Sequence, residues 1–273
     1  VATWRGEIAN GLKYTVSGNI STLKNEVRDL YGQAYLDGGQ AEFRQRTQVG
    51  EPLLSFYGYE VAGVYQNQAE INADPVAAAN GLVPGDFRFK DQQMEGEEGH
   101  GVIDDDDKVF LGSYIPTFNY GGSVGLLYKN FEFSMNIMGQ SGNKILNRKR
   151  GEIIWTNDTN IDADLATGLW NGEGTSNQYP SAAGLRKGWN QNFSDYLLED
   201  GAYFRIQNIQ LAYNIKGNQV IGPGMPDARI YVTAEKPLTV FKYNGFNPEV
   251  PNGIDRQFYP VPAVYTVGVN LKF

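Results

Sequence analysis

The chain has 273 residues, a formal net charge of −8, 33 Gly, 17 Tyr, 14 Phe and 4 Trp, but one His and no Cys. Without cysteine there is no disulfide framework, thiol catalysis, iron–sulfur cluster or Cys-ligated zinc, and one His excludes multi-His metal sites. The acidic balance argues against nucleic acid as a partner, and no run of about 18 apolar residues supplies a transmembrane helix. A barrel that hides its apolar residues at every second position crosses a membrane without such a run.

The chain opens VATWRGEIANG, which reads as strand and turn with no signal peptide before it. It is therefore expected to be either cytosolic or a piece of something longer, and the strand count below favours a piece. In LKYTVSGNI, Leu12, Tyr14, Val16 and Ile20 share one face, and Lys13, Thr15, Ser17 and Asn19 the other. Phe118, Tyr120, Val124, Leu126 and Tyr128 repeat the pattern, as do Phe131, Phe133, Met135 and Ile137. This period of two belongs to strands, not helices. Only Lys129 and Asn130 separate the last two runs, the length of a tight hairpin. Ile209, Leu211, Tyr213 and Ile215 alternate next, with Phe204 and Ile206 in the opposite phase, which predicts a bulge near Asn208. Ile230, Val232 and Ala234 follow, and the chain ends on Tyr265, Val267, Val269, Leu271 and Phe273.

The alternate faces carry Ser, Thr, Asn, Gln and Gly rather than dense charge, which suits a watery lumen better than the outside of a soluble sandwich. Tyr128, Phe131, Tyr213 and Phe273 sit near strand ends, as interfacial girdles do. Short links follow Ile8, Tyr128 and Ile215, and long ones run over about 24–116, 143–201 and 242–260. Strict alternation of short and long is the rule for an all-β, antiparallel transmembrane barrel with short periplasmic turns and long extracellular loops, and it puts the C-terminus at the periplasmic side. The count is about seven strands, and single-chain bacterial barrels have even numbers, so further strands are expected from elsewhere.

Several stretches carry a resemblance: TQVGEPLLSFYGYEVAGVYQ (47–66), VPGDFRFKD (83–91), 102–147 around VIDDDDKVFLGSYIPTFNYGG, LEDGAYFRIQNIQLAYNI (198–215), 228–250 and YPVPAVYTVGVNLKF (259–273). In this order they resemble the C-terminal part of SusC-like TonB-dependent outer-membrane transporters of Bacteroidetes. The resemblance implies that residues 1–273 form the last third of a barrel of about 22 strands. It implies that the plug and the segment gripped by TonB lie in a remaining N-terminal part outside this chain. It also implies a SusD-like surface lipoprotein as lid, and active import of oligosaccharides or oligopeptides across the outer membrane, with no chemistry by this chain.

The loop from Asp91 to Asp107, DQQMEGEEGHGVIDDDD, resembles the family's D-x-N-x-D-G-x-I-D-x-x-D calcium loop. Calcium takes six to eight oxygens, and Asp91, Gln93, Glu95, Asp104 and Asp107 are the expected ligands. About five inserted residues separate the halves, and a solvated acidic loop is the plain alternative. His100 stands in the insertion without a paired nucleophile. In the loop 144–200, Trp155, Trp170, Tyr179 and Trp189 among Asn, Gln and Asp suit a glycan or partner contact, while gluing the loop to the barrel mouth is the more ordinary role. A loop this long needs its own small core. Arg148, Lys149 and Arg150 read as a partly ion-paired run.

Two rival classes stand beside import. An outer-membrane barrel hydrolase needs a nucleophile and base, for which a single His in an acidic loop is poorly placed, although 31 acids leave a carboxylate pair open. A soluble carbohydrate-binding sandwich would bury its alternate apolar residues under a second sheet.

Overall fold

The computed structural model describes residues 1–8, 10–38, 44–150, 160–161, 163–182, 188–217, 222–223, 226–256 and 258–272. In chain order the strands are β1 (Ala2–Ile8), β2 (Leu12–Thr22), β3 (Tyr35–Gly38), β4 (Gln45–Gln48), β5 (Ser55–Gly58), β6 (Val61–Val64), β7 (Phe87–Phe89) and β8 (Val109–Gly112). They continue as β9 (Phe118–Tyr128), β10 (Phe131–Ser141), β11 (Lys144–Asn147), β12 (Leu198–Asp200), β13 (Tyr203–Ile215), β14 (Asp227–Phe241), β15 (Ile254–Asp255) and β16 (Val264–Lys272). Short helices α1 (Gln68–Ala73), α2 (Pro75–Ala79) and α3 (Ala163–Gly168) lie in the long connections. The Asn67 side chain accepts from the Glu70 amide and that of Asp74 from the Val76 amide, which fixes where α1 and α2 begin.

Seven strands form one sheet in the order β1-β2-β9-β10-β13-β14-β16, every neighbouring pair antiparallel. The register explains the alternating sequence. Trp4 faces Val16, which faces Val124, then Met135, Ile209, Ala234 and Tyr265 across the sheet. A parallel row runs Tyr14, Leu126, Phe133, Leu211, Val232, Val267. Along these rows apolar side chains meet apolar neighbours on one face. That face is uncovered: Trp4 is 72% exposed, Val232 48% and Val267 75%. A sandwich would have buried these rows, and a barrel wall leaves them for acyl chains.

The predicted bulge is one residue away from its expected place. Register shifts between Ile206 and Asn208, leaving Gln207 unpaired opposite Lys236 and Pro237, with Lys236 at φ +49. This brings Phe204 and Ile206 back onto the apolar face, opposite Val240 and Leu238. Lys129, at φ +52, turns the predicted two-residue hairpin. Three glycines of the wall lie under rings of the next strand: Gly6 under Tyr14, Gly139 under Tyr120 and Gly268 under Tyr231. Each ring covers backbone that a side chain would displace.

The three long connections do not fold separately. Phe56, Tyr59, Phe87 and Phe89 from residues 24–116 share a core with Leu146, Tyr196 and Leu197 from 144–200 and Ile254 from 242–260. β15 pairs parallel with β11, and β12 pairs with its other edge, so two of the connections also share a small sheet. The expectation that 144–200 carries its own core is corrected here: the loop is too polar to bury enough apolar surface by itself and borrows Phe56, Phe87 and Phe89. The buried Asp86–Asn190 pair (3.1 Å) ties the first two connections, with Asn190 also accepting from the Phe87 amide (2.8 Å).

Candidate functional site

The polar face of the wall divides in two. Towards the short turns it is charged. Arg229 pairs with Glu132 (3.1 Å) and donates to Gln210 (2.9 Å), Asn214 donates to Glu132 (2.8 Å), and Lys216 pairs with Asp227 (2.7 Å). Around them lies a cavity of about 520 Å³ also bordered by Lys129, Asn270 and Lys272. Tyr128, Phe131 and Tyr213 gather at the same end of the apolar face, with the Phe131 and Tyr213 ring centres 4.7 Å apart, as the girdle reading expects. Phe273 lies outside the described residues.

Towards the long loops the polar face is lined mainly by amides and hydroxyls. A trough of about 660 Å³ is bordered by Ser17, Asn19, Asn119, Asn136, Gln140 and Gln207, among others. Ser17 and Ser123 share a hydrogen bond of 2.6 Å across β2 and β9. Gly121 keeps the floor low, since a Cβ there would stand 2.7 Å from the Asn19 Oδ1. The Gln207 Oε1, held at the bulge, has no hydrogen-bond partner.

A clamp above the trough holds the last long connection to the wall. Arg205, 2% exposed, donates from Nη1 to Glu249 (2.5 Å) and from Nε to Thr239 (3.1 Å), and the Tyr203 hydroxyl donates to Glu249 (2.9 Å). Burial works against the Glu249 charge. The hydrogen bonds from Arg205 and Tyr203 outweigh it and hold this carboxyl below its usual range. Sequence reading missed this clamp. Its signal was an arginine at an inward position of β13, two residues after an inward tyrosine.

The loop aromatics are placed in the shared core. Trp170, Tyr179 and Trp189 all pack against it half-buried. Their polar atoms are used internally: Trp170 Nε1 donates to Gln66 (3.2 Å), Trp189 Nε1 to the Phe87 carbonyl (2.8 Å), and the Tyr179 hydroxyl accepts from Arg150 (3.3 Å). Trp155 lies outside the described residues. Arg150 also pairs with Glu199 (3.0 Å), and Lys149 lies 4.2 Å over the Phe246 ring, in line with a partly ion-paired run.

In the acidic loop, Asp91, Gln93 and Asp107 come together. The Gln93 amide bridges the two carboxylates, 2.7 Å from Asp107 and 3.0 Å from Asp91. Asp104 instead caps a single 3-10 turn, accepting from the Asp106 amide while its own amide donates to Asp107. Glu95 is exposed on the intervening turn. The His100 Nδ1 lies 3.1 Å from the Gln93 carbonyl and 3.2 Å from Asp91. Among the described residues no group of three or more His, Asp and Glu is placed to hold a metal ion. Close by, burial raises the Asp195 carboxyl above its usual range despite a hydrogen bond from the Val61 amide (2.9 Å).

No family model matches the chain. A TonB-dependent receptor of Formosa agariphila is 29% identical over 93% of the chain and 26% of its own length. The TonB-dependent receptor SusC of Bacteroides thetaiotaomicron is 27% identical over 97% of the chain and 25% of its own length. Solved structures of the RagAB peptide transporter superpose at TM-scores of 0.76 and 0.77, with 20% identity, over 99% of this chain and 28% of theirs. The chain spans about a quarter of the length of the curated relatives it matches. These relatives are receptors rather than enzymes, and the hydrolase reading has no counterpart among them. Matched over nearly all of its sequence and by its seven-stranded antiparallel wall, the chain is related to the SusC-like TonB-dependent receptors.

Proposed function

We propose that this chain is the C-terminal part of a barrel wall, with its outer loops, in a TonB-dependent outer-membrane importer of oligosaccharides or oligopeptides. The observation that carries the reading is the uncovered apolar face, matched row by row across seven strands, opposite a face of amides, hydroxyls and charged groups. No covalent step is assigned to this chain. It supplies wall, chamber lining and the loop assembly against which a SusD-like lipoprotein would close. On this reading the long loops face outside, the β16 end lies at the periplasm, and energy arrives through TonB acting on the N-terminal part of the same transporter. Deleting the gene for the full-length protein should abolish growth on its nutrient, and an intact copy should restore it while one with a blocked TonB segment should not. Restoration by the blocked copy would refute TonB-driven import.

Calcium is a second element of the proposal. What supports it is that three of the expected ligands, Asp91, Gln93 and Asp107, lie together; to hold the ion, the Gln93 amide would have to turn its carbonyl oxygen inward from the orientation in which its NH2 donates to both carboxylates. Such an ion would brace the acidic loop against β8 and the shared core. Calorimetric titration with Ca²⁺ should show saturable binding that Asp107→Asn removes. No heat above dilution would dismiss the ion.

A further inference from the structure

We propose that Asn171–Gly172 is a self-modification site, where the asparagine deamidates through a cyclic imide, and that the isoaspartate product loosens the joint between the first two long connections. The chemistry needs only the chain and water. The Gly172 backbone nitrogen gives up its proton and bonds to the Asn171 side-chain carbon Cγ. The Cγ–Nδ2 bond breaks, the departing nitrogen takes up a proton through solvent, and ammonia leaves. Water then opens the imide. Hydrolysis at the side-chain carbonyl gives aspartate. Hydrolysis at the backbone carbonyl leaves the chain running through the former side chain, as isoaspartate. A following glycine favours ring closure, because no Cβ shields its nitrogen.

The chain has five Asn-Gly pairs, and the structure separates one from the rest. In three of them the glycine amide is held: Gly11 donates to the Ile8 carbonyl (3.2 Å), Gly81 to that of Ala78 (3.3 Å) and Gly253 to that of Val250 (3.1 Å). A held amide is hindered both in shedding its proton and in turning toward the side chain. In the fourth, Asn244 is half-buried, its amide donates to Glu199 (2.6 Å), its carbonyl accepts from Asn147 (2.9 Å), and the Tyr243 ring lies over Gly245. Asn171 is exposed. Among the described residues nothing accepts from the Gly172 amide or bonds the Asn171 side chain. Beyond its chain neighbours, nothing lies within 4 Å of where a Gly172 Cβ would stand. Thr175 fixes the flanks, its hydroxyl accepting from the Asn171 amide (3.0 Å) and donating to the Gly172 carbonyl (2.7 Å). The reacting atoms between those flanks are left free to meet.

The consequence follows from where this bond lies. The Gln66 Oε1 accepts from both Trp170 Nε1 (3.2 Å) and the Gly174 amide (2.9 Å), so Gln66 spans the reacting bond. Its Nε2 donates to the Ser176 carbonyl (2.9 Å), Asn67 donates to Glu173 (2.7 Å), and Asn177 accepts from the Val64 amide (2.9 Å). These contacts join the first long connection to the second. Isoaspartate lengthens the backbone between Trp170 and Gly174 by one carbon–carbon bond, about 1.5 Å, more than a hydrogen bond can stretch and survive. Aspartate keeps the ordinary backbone and adds only a charge.

The test uses the full-length protein, purified in detergent and aged at neutral pH in water enriched in heavy oxygen. Peptide mass spectrometry should find the label at Asn171 several-fold sooner than at Asn10, Asn80, Asn244 or Asn252, and an isoaspartyl methyltransferase should mark the same peptide. Conversion at Asn171 no faster than at the other four overturns the proposal. Residues 64–67 report from the chemically unaltered side of the joint. Their amide hydrogen exchange should be about fivefold faster in the isoaspartate fraction, the loss of one hydrogen bond. It should be unchanged in fresh Asn171→Asp and in aged Asn171→Gln, whose longer side chain closes the ring poorly. Equal loosening in fresh Asn171→Asp assigns the effect to charge and overturns the role of isoaspartate. Equal loosening in aged Asn171→Gln overturns the site as its cause, and unchanged exchange in the isoaspartate fraction overturns the effect on the joint.

Discussion

Removing the Glu249 carboxylate should free the last long connection from the wall while leaving the wall intact. The Arg205 guanidinium is 2% exposed and loses its one charged acceptor in Glu249→Ala, keeping Thr239. Breaking a fully buried ion pair by deleting one partner costs about 3–5 kcal/mol. The Glu249 side chain is 42% exposed, so water already screens part of the pair, and a charged hydrogen bond of about 1.5–3 kcal/mol is the better guide. A loss of about 2–3 kcal/mol converts to about 30- to 150-fold faster local opening, at about 1.4 kcal/mol per tenfold. Glu249→Gln keeps one neutral acceptor, its carbonyl oxygen, for Arg205, while its NH2 can donate to the Tyr203 hydroxyl, and should cost about 1 kcal/mol, roughly fivefold. Amide hydrogen exchange by mass spectrometry reads this directly, as faster exchange over 243–256 with unchanged exchange over 118–141. The pH dependence follows from the same contacts. Because the Glu249 carboxyl titrates below its unfolded value of 4.5 in the folded chain, its contribution is full above that value and is lost as pH falls through the lower folded one. Protection of 243–256 should therefore hold from neutrality to about pH 5 and decline below it, whereas Glu249→Gln should be flat there. Equal exchange in Glu249→Ala and the unaltered protein would refute the clamp.

Three further outcomes follow from the wall and the loop core. Val267→Arg, on the uncovered apolar face, should cost about 2–4 kcal/mol in chemical unfolding from lipid vesicles if that face meets the acyl core, whereas Asn270→Arg on the polar face should stay within about 1; equal costs would contradict the assignment of faces. Gly139→Ala places a methyl against the Tyr120 hydroxyl and the Tyr203 carbonyl, which should lower stability by about 1–3 kcal/mol and be partly relieved by Tyr120→Ala in a double-mutant cycle. Asp86→Ala removes the fully buried carboxylate that accepts from the Asn190 side chain and the Val83 amide, so proteolysis should cleave the loops about tenfold or more faster while the seven strands stay protected.

The wall was legible because a strand's period of two is the shortest pattern a chain can carry, and lipid on one side with water on the other writes it without interruption. Val16, Val124, Met135 and Ile209 could be assigned to one face from local spacing, and the observed register joins them in one row. The bulge was legible as a change of phase. The loop assembly was not. Phe56, Phe87, Leu146, Leu197 and Ile254 come from three connections separated by strands, and none of those segments has a period that announces a core. The Trp-rich loop fits a ligand surface and a packing role alike for the same reason: an indole set among amides gives one signature whether it faces a sugar or, as Trp189 does, a phenylalanine carbonyl.

Charge is distributed unevenly along the polar face. At the turn end, Glu132, Arg229, Asp227 and Lys216 satisfy one another within single side-chain reach, so the cluster is nearly neutral as a whole while remaining rigid. Towards the loops, Arg205 finds its charged partner in a carboxylate supplied by the last long connection. The arginine therefore serves as an anchor for residues 242–260, tying the last long connection to β13 and β14.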